Sequence, residues 1–581
     1  MLKEKVFLRW GVIVCSAIVL IAMTGCGGGG GSTVTASPSY TLIATALNPA
    51  VVLAGNASVA TSTITVTPAN GYSGSVTLSC GSITGGSPVP TCSFKGSPVM
   101  ISGSGSGTAT LSVTTSTSTP IARFSIPVTG SDANSLGPSD GPQGLLLGAG
   151  TVIQHVVIIF QENRSPDNLF QDPNLVSAGA DIQSFGVNSK GAIIPLTPLT
   201  LASDYNPYHN HESFLAMYDD GKMDGADKIG ILCNQGAQNC PPPNAQFTYV
   251  PATEAAPYFQ MAETYTFADR MFQTNQGPSF PAHQYILSGA SAQTAEADSL
   301  YAAENPNGAE DTGGVSGCIA PLTETAALIN LITGDESTKA YPCYDHPTLT
   351  DSLDNGKVPW MWYGPQNDPG SIWNAPNAIQ HMCVPNSANT SCTGAEWTSN
   401  VVLNPAQILT DIQGGKLASV TWVIPNGVNS DHGGTTGTTG PAWVASVVNA
   451  VGDSQFWSNT AIFVAWDDWG GWYDHVPPFA IHNKYEFGFR VPMIVISPYA
   501  KAAYISHVPH NFGSILKFIE ENWALGPVGA GNYSDAYSDT DDLSDCFNYK
   551  QTPLKFTTIQ APQDKEFFLH DDRPAVPLDD D

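Results

Sequence analysis

Residues Gln154 to Phe170 read QHVVIIFQENRSPDNLF, an apolar run that hands a compact polar cluster, Glu162, Asn163, Arg164 and Ser165, to its own C-terminal end. Val156 to Phe160 is short, β-branched and apolar on both alternations, the pattern of a strand covered on both faces in a parallel sheet. Ligand chemistry in such sheets gathers just beyond the carboxyl ends of the strands, so Glu162 and Asn163 stand where a site belongs. A plain charged turn reads the same way, and this stretch alone leaves both readings open.

A second stretch repeats the design. Ala461 to Trp466 is another buried-type strand, and it ends in Asp467-Asp468, followed by Gly470-Gly471 and Asp474-His475. Adjacent carboxylates in a confined place repel one another unless a cation sits between them or one takes up a proton. An acidic turn is the competing reading, and the similar ending of the first strand favours a metal site. In the third stretch, Asn275 to His283, Gly277 and Pro278 are expected to hold Ser279 on a tight, exposed turn. A serine hydroxyl is a weak nucleophile unless a base or metal activates it, and no Gly-x-Ser-x-Gly elbow surrounds this one, so alone it reads as a turn serine. Histidines complete the set: His209 and His211 in a Tyr-His-Asn-His-Glu run, then His283, His346, His381 and His432. Each alone reads as a loop residue, although a phosphate ester needs donors around its oxygens and an acid for its leaving group, and histidine supplies both.

Beyond Thr151, candidate strands at Ser419–Ile424 and Met493–Ser497 join the two above. Candidate helices lie at Pro405–Gln413, Pro441–Val451 and Phe512–Trp523. This alternation predicts a layered α/β domain over 151–581. The chain has 581 residues, too many for one core, and a formal charge of −29 from 21 Lys plus Arg against 50 Asp plus Glu. That balance excludes nucleic acid and disfavours an anionic lipid surface. Between about Tyr40 and Val128, short alternating segments such as Ser62 to Val66 and Thr108 to Val113 recur between Gly, Pro and Asn turns, which predicts a small β-sandwich over 38–130. It resembles the immunoglobulin-like modules of bacterial surface proteins, and a spacer role is expected of it. Residues 131–150, rich in Gly, Ser, Asp and Pro, read as a linker.

Lys3, Lys5 and Arg9, the apolar Val12 to Met23 and the small-residue ending Thr24-Gly25-Cys26 resemble a bacterial lipoprotein signal over 1–26, with a flexible glycine spacer at 27–37. Cleavage before Cys26 leaves a thiol for lipid attachment, so the chain is expected to be exported and tethered to the envelope, ordinary secretion being the alternative. In an oxidising compartment the near pairs Cys80/Cys92, Cys233/Cys240, Cys318/Cys343 and Cys383/Cys392 suggest local disulfides, which leaves Cys546 single. Zinc is the rival use of these cysteines, but no CxxC pair is present.

The motifs around Glu162 to Ser165, Gly221 to Gly225, Gly277 to Pro281, Ile424 to Asn426, Asp431-His432, Asp467 to Pro478 and Arg490 to Pro492 come in this order. Together they resemble the bacterial phosphoesterase family of non-hemolytic phospholipases C and respiratory-burst-inhibiting acid phosphatases, over roughly Val152 to Leu525. The resemblance implies a three-layer α/β/α sandwich of alkaline-phosphatase-like type and a metal-dependent phosphoric-ester hydrolase. On it, Ser279 matches the nucleophile, forming a phosphoserine. Glu162, Asn163, Asp467 and Asp468 match the metal ligands, and His432 matches the histidine that contacts the phosphoryl group or protonates the leaving alcohol. One of His209 and His211 matches another histidine of the site. One divalent ion is implied, calcium, magnesium or manganese over zinc for so hard a donor set. The substrate is a phosphomonoester or phosphodiester, phospholipid among the latter. The chain departs from the pattern after the nucleophile, where Ala282 and His283 replace an Asn-Arg pair, so His283 stands where an oxyanion donor is expected. Asp468, often Glu in the phospholipase members, points to the acid phosphatases. Ser165 becomes a structural turn residue. The alternative to an enzyme is a surface binding or adhesion lipoprotein that kept the fold and lost activity through the Ala282 change.

Overall fold

A computed structural model describes residues 37–291, 300–307, 315–529 and 531–573. The leader expected over Met1 to Cys26, its lipid site and all but the last residue of the spacer lie outside them. Among the described residues no helix is long and apolar enough to cross a membrane.

The N-terminal unit consists of two sheets around one core. Ser39–Ala44, Val59–Ala69, Gly107–Thr114 and Thr91–Lys95 form one; Val51–Leu53, Gln143–Gly150, Ala122–Ser131, Gly74–Cys80 and Val99–Ile101 form the other. Period-two alternation turns Tyr40, Leu42, Ile64, Val66, Leu111 and Val113 of the first sheet against Phe124, Ile126 and Val128 of the second. The stretch 131–150 is therefore not all linker. Gln143–Gly150 pairs antiparallel with Ala122–Val128 and parallel with Val51–Leu53, because Leu145, Leu147 and Ala149 alternate inward while Leu146 faces out. Its glycines carry the composition of a linker and its leucines the pattern of a strand.

That strand also joins the two units. A Cβ on Gly148 would stand 2.3 Å from Ala524 Cβ, and one on Gly150 would stand 2.3 Å from Asn522 O. Only glycine lets the strand lie this close to the end of helix Phe512–Trp523. Thr151 then donates through N and Oγ1 to Asn522 Oδ1 (3.0 and 2.6 Å), while Asn522 Nδ2 donates to Ile153 O (3.0 Å).

The larger unit is a mixed α/β fold around an eight-stranded sheet, in the order Val401–Val402, Trp360–Tyr363, Val420–Val423, His155–Gln161, Thr460–Trp466, Met493–Ile496, Thr266–Ala268 and Tyr504–Ser506. Only Met493–Ile496 runs against its neighbours. Val156 to Phe160 and Ala461 to Ala465 are all fully buried, as their unbroken apolar runs predict, and each such Val, Ile or Phe contributes about 1.5–3 kcal/mol by leaving water. Helix Phe512–Trp523 lies where its pattern places it: Phe512, Ile515, Leu516 and Ile519 are buried at helical spacing, and Asn511 and Ser514 form a capping box at its start. Helices Gln407–Gln413 and Gly440–Gly452 match the other two expected spans closely. Four disulfides link the cysteines paired above, and Cys546 is unpaired and buried.

Sheet register positions the site. Gln161 lies opposite Trp466 in the parallel pair, so two adjacent strands release their next residues at one level of the sheet.

Candidate active site

Glu162-Asn163 and Asp467-Asp468 thus leave the sheet side by side, and backbone contacts lock them together. Asn163 N donates to Asp467 Oδ1 (2.9 Å), Asp467 N to Gln161 O (2.9 Å) and Arg164 N to Asp468 O (3.0 Å). Asn163 is left-handed, with φ 57°, a conformation that asparagine tolerates better than most residues. Gly470 makes room for it: a Cβ there would stand 2.4 Å from Asn163 O. Gly470 N also donates to Asp468 Oδ1 (2.7 Å), which leaves Asp468 Oδ2 to the neighbouring serine.

That serine is Ser279. It is fully buried and opens helix Ser279–Ser288 directly after Pro278, so the exposed turn expected from the sequence is corrected to a buried helix start. The tie is local: Asn275 Nδ2 donates to Gly277 O (2.8 Å) and Pro278 O (3.1 Å). Side-chain crowding closes the outside, since a Cβ on Gly277 would come within 2.4 Å of Glu304 Oε1 and Tyr485 OH. Ser279 Oγ stands 3.3 Å from Asp468 Oδ2 and 3.4 Å from Glu162 Oε2. The positive end of the helix dipole lies at the same point and favours negative charge on Oγ or on a bound phosphate.

One helical turn after Ser279, His283 meets the other oxygen of the same glutamate, with Nε2 3.0 Å from Glu162 Oε1. Burial pushes its imidazolium down to about 4. At neutral pH it is an uncharged ring that donates through Nε2, and its Nδ1 lacks a hydrogen-bond partner among the described residues. His209 is fixed from behind. Its Nδ1 donates to Pro207 O (2.9 Å), so Nε2 accepts from Asn163 Nδ2 (2.8 Å); that nitrogen also lies 3.7 Å from Asp468 Oδ2. His211 parts from it because Asn210 caps helix His211–Tyr218 between them. The structure places His209 in the cluster and His211 against Glu336, Nδ1 to Oε1 2.5 Å.

His432 donates through Nδ1 to Gly433 O (2.6 Å), and its ring centroid lies 6.2 Å from that of His209 and 5.8 Å from that of Trp373. The preceding Asp431 is held by Tyr258 OH (2.6 Å) and Trp466 Nε1 (3.3 Å), and Arg164 Nε and Nη2 clamp its carbonyl (2.9 and 2.6 Å). Burial pushes the Asp431 carboxyl up to about 6, against the stabilising Tyr258 hydroxyl and Arg164. Tyr258 and Trp373 carry no motif and were invisible in the sequence; Arg164 was visible, but its task of holding the His432 loop was not. Ser165 caps helix Pro166–Leu169, accepting from Asn168 N (3.2 Å) and donating to Tyr473 O (2.8 Å). His346 bonds its neighbour Pro347 O and His381 bonds Asp345, away from this cluster.

Glu162, Asp467 and Asp468 are three buried carboxylates, and the guanidinium of Arg164 donates to Asp431 O and Asn168 Oδ1. Asp467 Oδ2 and Asn163 Oδ1 are buried with no hydrogen-bond partner among the described residues. Oxygen or nitrogen atoms of Glu162, His283 and Asp467 lie within 4.8 Å of one another. Three carboxylates gathered in one buried place, with Asp467 Oδ2 and Asn163 Oδ1 beside them, fit a divalent cation, and the hard donors suit calcium, magnesium or manganese.

The hemolytic phospholipase C of Pseudomonas aeruginosa is 22% identical over 428 residues, which is 64% of this chain and 53% of that protein. The non-hemolytic phospholipase C of Burkholderia pseudomallei is 22% identical over 411 residues, 63% of this chain and 55% of that protein. Phospholipase C B of Mycobacterium tuberculosis is 22% identical over 456 residues, 69% and 79% of the two chains. The chain spans about half the length of the first two relatives. Among solved structures, a protein of the alkaline phosphatase superfamily from Vibrio parahaemolyticus matches 68% of this chain and 70% of its own, with 10% identity and a TM-score of 0.30. The model of the Phosphoesterase family matches residues 153–526, well over half of the sequence and both strands that build the site, and the chain belongs to that family.

Proposed function

We propose that this protein is a metal-dependent phosphoric-ester hydrolase, of acid phosphatase or phospholipase C type, in which Ser279 attacks phosphorus to give a phosphoserine. The observation that carries the reading is the Ser279 hydroxyl, buried at a helix N-terminus within 3.3–3.4 Å of two carboxylates. A divalent cation held by Glu162, Asn163, Asp467 and Asp468 would supply Lewis-acid polarisation of the ester and a lower pKa for the serine hydroxyl. The chain's own residues do the rest. As the Oγ–P bond forms, the serine proton passes to a neighbouring carboxylate and the bond from phosphorus to the leaving oxygen breaks. His432, its Nδ1 committed to Gly433 O, gives a proton from Nε2 to the departing alcohol and then takes one from the water that hydrolyses the phosphoserine. His283, neutral, holds Glu162 by hydrogen bond, and His209 holds Asn163.

The family and the relatives' names support a phosphomonoester or phosphodiester substrate, phospholipid included. The mixed sheet and its helices support the alkaline-phosphatase-like three-layer plan, and the two-sheet N-terminal unit an immunoglobulin-like spacer. The leader and the disulfides support export, with a lipid tether at Cys26. The test is turnover of p-nitrophenyl phosphate and p-nitrophenylphosphorylcholine by the wild type, by the chelated protein and by Ser279→Ala. Activity on either substrate that disappears on chelation, returns with divalent cation and is absent from the variant is expected. Full turnover by Ser279→Ala sinks the nucleophile assignment, and a folded wild type inert on both substrates favours a binding lipoprotein.

A further inference from the structure

A second cluster lies away from the candidate active site, at the edge of the sheet beside strand Tyr504–Ser506. Cys546 ends the short turn Ser544–Cys546, buried, and His510 precedes helix Phe512–Trp523, also buried. Cys546 Sγ lies 3.5 Å from Asp545 Oδ1 and 3.9 Å from His510 Nε2, and those two atoms are 3.6 Å apart. Zinc with sulfur at about 2.3 Å and nitrogen or oxygen at about 2.0–2.2 Å sets tetrahedral ligands roughly 3.3–3.6 Å from one another. The three side chains already stand close to that spacing, although they come from two separate segments.

The surroundings are those of a metal ligand set. His510 Nδ1 donates to Asp541 Oδ1 (2.8 Å), which commits that nitrogen and presents the Nε2 lone pair to Cys546 and Asp545; a carboxylate behind a ligating histidine does this in metal sites. Ser506 Oγ lies 3.1 Å from His510 Nε2 and donates to Asp545 Oδ2, so a hydroxyl closes the remaining side. Asp541 also accepts from Ser514 Oγ (2.7 Å), tying the cluster to the first turn of the helix.

We infer that Cys546, His510 and Asp545 bind a zinc ion, with water or the Ser506 hydroxyl as fourth ligand and Asp541 behind His510. A thiolate and an imidazole select zinc over the hard cations of the first site. On binding, the Cys546 S–H bond breaks, its proton leaves to solvent and the S–Zn bond forms. The ion would clasp residues 541–546 to the sheet edge.

The test uses the full chain. After chelation and reloading with cobalt(II), the wild type is expected to show a near-ultraviolet thiolate-to-cobalt charge-transfer band, which an oxygen and nitrogen donor set does not give. Elemental analysis of zinc-loaded protein is expected to fall by one equivalent in Cys546→Ala and in His510→Asn, while Cys546→Ala keeps its ester hydrolysis in added magnesium or calcium. A folded wild type without the band, and equal zinc content in wild type and Cys546→Ala, would overturn the proposal. The wild-type spectrum decides alone if the variants do not fold.

Discussion

Two carboxylate clusters, a few residues apart on the same loops, meet the same electrostatic problem differently. Glu162, Asp467 and Asp468 form the open side beside Ser279, where histidines, His283 at Glu162 and His209 near Asp468, meet the carboxylates. Asp167 and Asp474 lie just beyond, equally buried, but Arg490 closes them: its Nε and Nη2 donate to Asp474 (2.9 and 3.0 Å) and Nη2 lies 3.4 Å from Asp167 Oδ1. His475 adds Nδ1 to Asp167 Oδ2 (2.7 Å) and Nε2 to Asp181 Oδ1 (3.0 Å). Asp167, Asp474 and His475 are close enough for a metal on spacing alone, yet a guanidinium already fills that need. Carboxylate spacing therefore does not separate a structural cluster from a reactive one. The buried Arg490 guanidinium is what marks the structural one.

The sharpest test of the open side is Ser279→Ala. Turnover is expected to fall at least about 10⁴-fold, about 5.5 kcal/mol of transition-state stabilisation, with cation binding, read by calorimetry, retained. On the closed side, Arg490→Met strips Asp474 of its guanidinium and leaves Asp167 paired with His475, and is expected to cost about 3–5 kcal/mol in urea unfolding. A smaller loss would show that solvent reaches this cluster after all.

His475 gives the closed cluster a pH signature. Burial opposes its charge, but the hydrogen bond to Asp167 and the neighbouring carboxylates outweigh burial and raise it to about 9. A histidine raised on folding stabilises fully below its unfolded value of about 6.5, and that contribution is lost as pH rises through the folded value. Wild type is expected to exceed His475→Gln by about 1–3 kcal/mol near pH 6, and the gap to close by about pH 10. A gap that is flat with pH would mean that His475 is neutral in the fold.

Asp467→Asn is expected to act oppositely on the two states of the open side. Removing one repelling charge raises the stability of the chelated protein by about 1–2 kcal/mol, while the thermal shift on adding calcium or magnesium shrinks. If the variant gained as much from cation as the wild type, Asp467 would not be a ligand. Least of all, Ser165→Ala loses an N-cap and about 1 kcal/mol, with turnover held within a few-fold.

Much of this was legible in the sequence, because unbroken apolar runs ending in carboxylates identify strands and their active edge together. Val156 to Phe160 and Ala461 to Ala465 announced both strands. Their adjacency did not follow, since the pairing of Gln161 with Trp466 is a long-range register that no local pattern encodes. Ser279 was found by its motif, while its burial was not, and the Tyr485 and Glu304 side chains that crowd the neighbouring Gly277 come from distant segments. The choice between His209 and His211 turned on one cap, Asn210, that points them apart. Arg490 was visible only as a letter in a motif, and its partners lie on three other segments. The strand Gln143–Gly150 was hidden by the glycines that allow it to do its work.

Those glycines have a mechanical meaning. A hinge needs slack, and the seam at Gly148 and Gly150 has none: the β-unit's last strand lies flush on the helix, and Asn522 grips the chain on both sides of the junction. Swivelling one unit against the other would break those bonds or drive backbone into backbone. The last strand of the β-unit and the helix it lies on are thus fastened to one another at the junction.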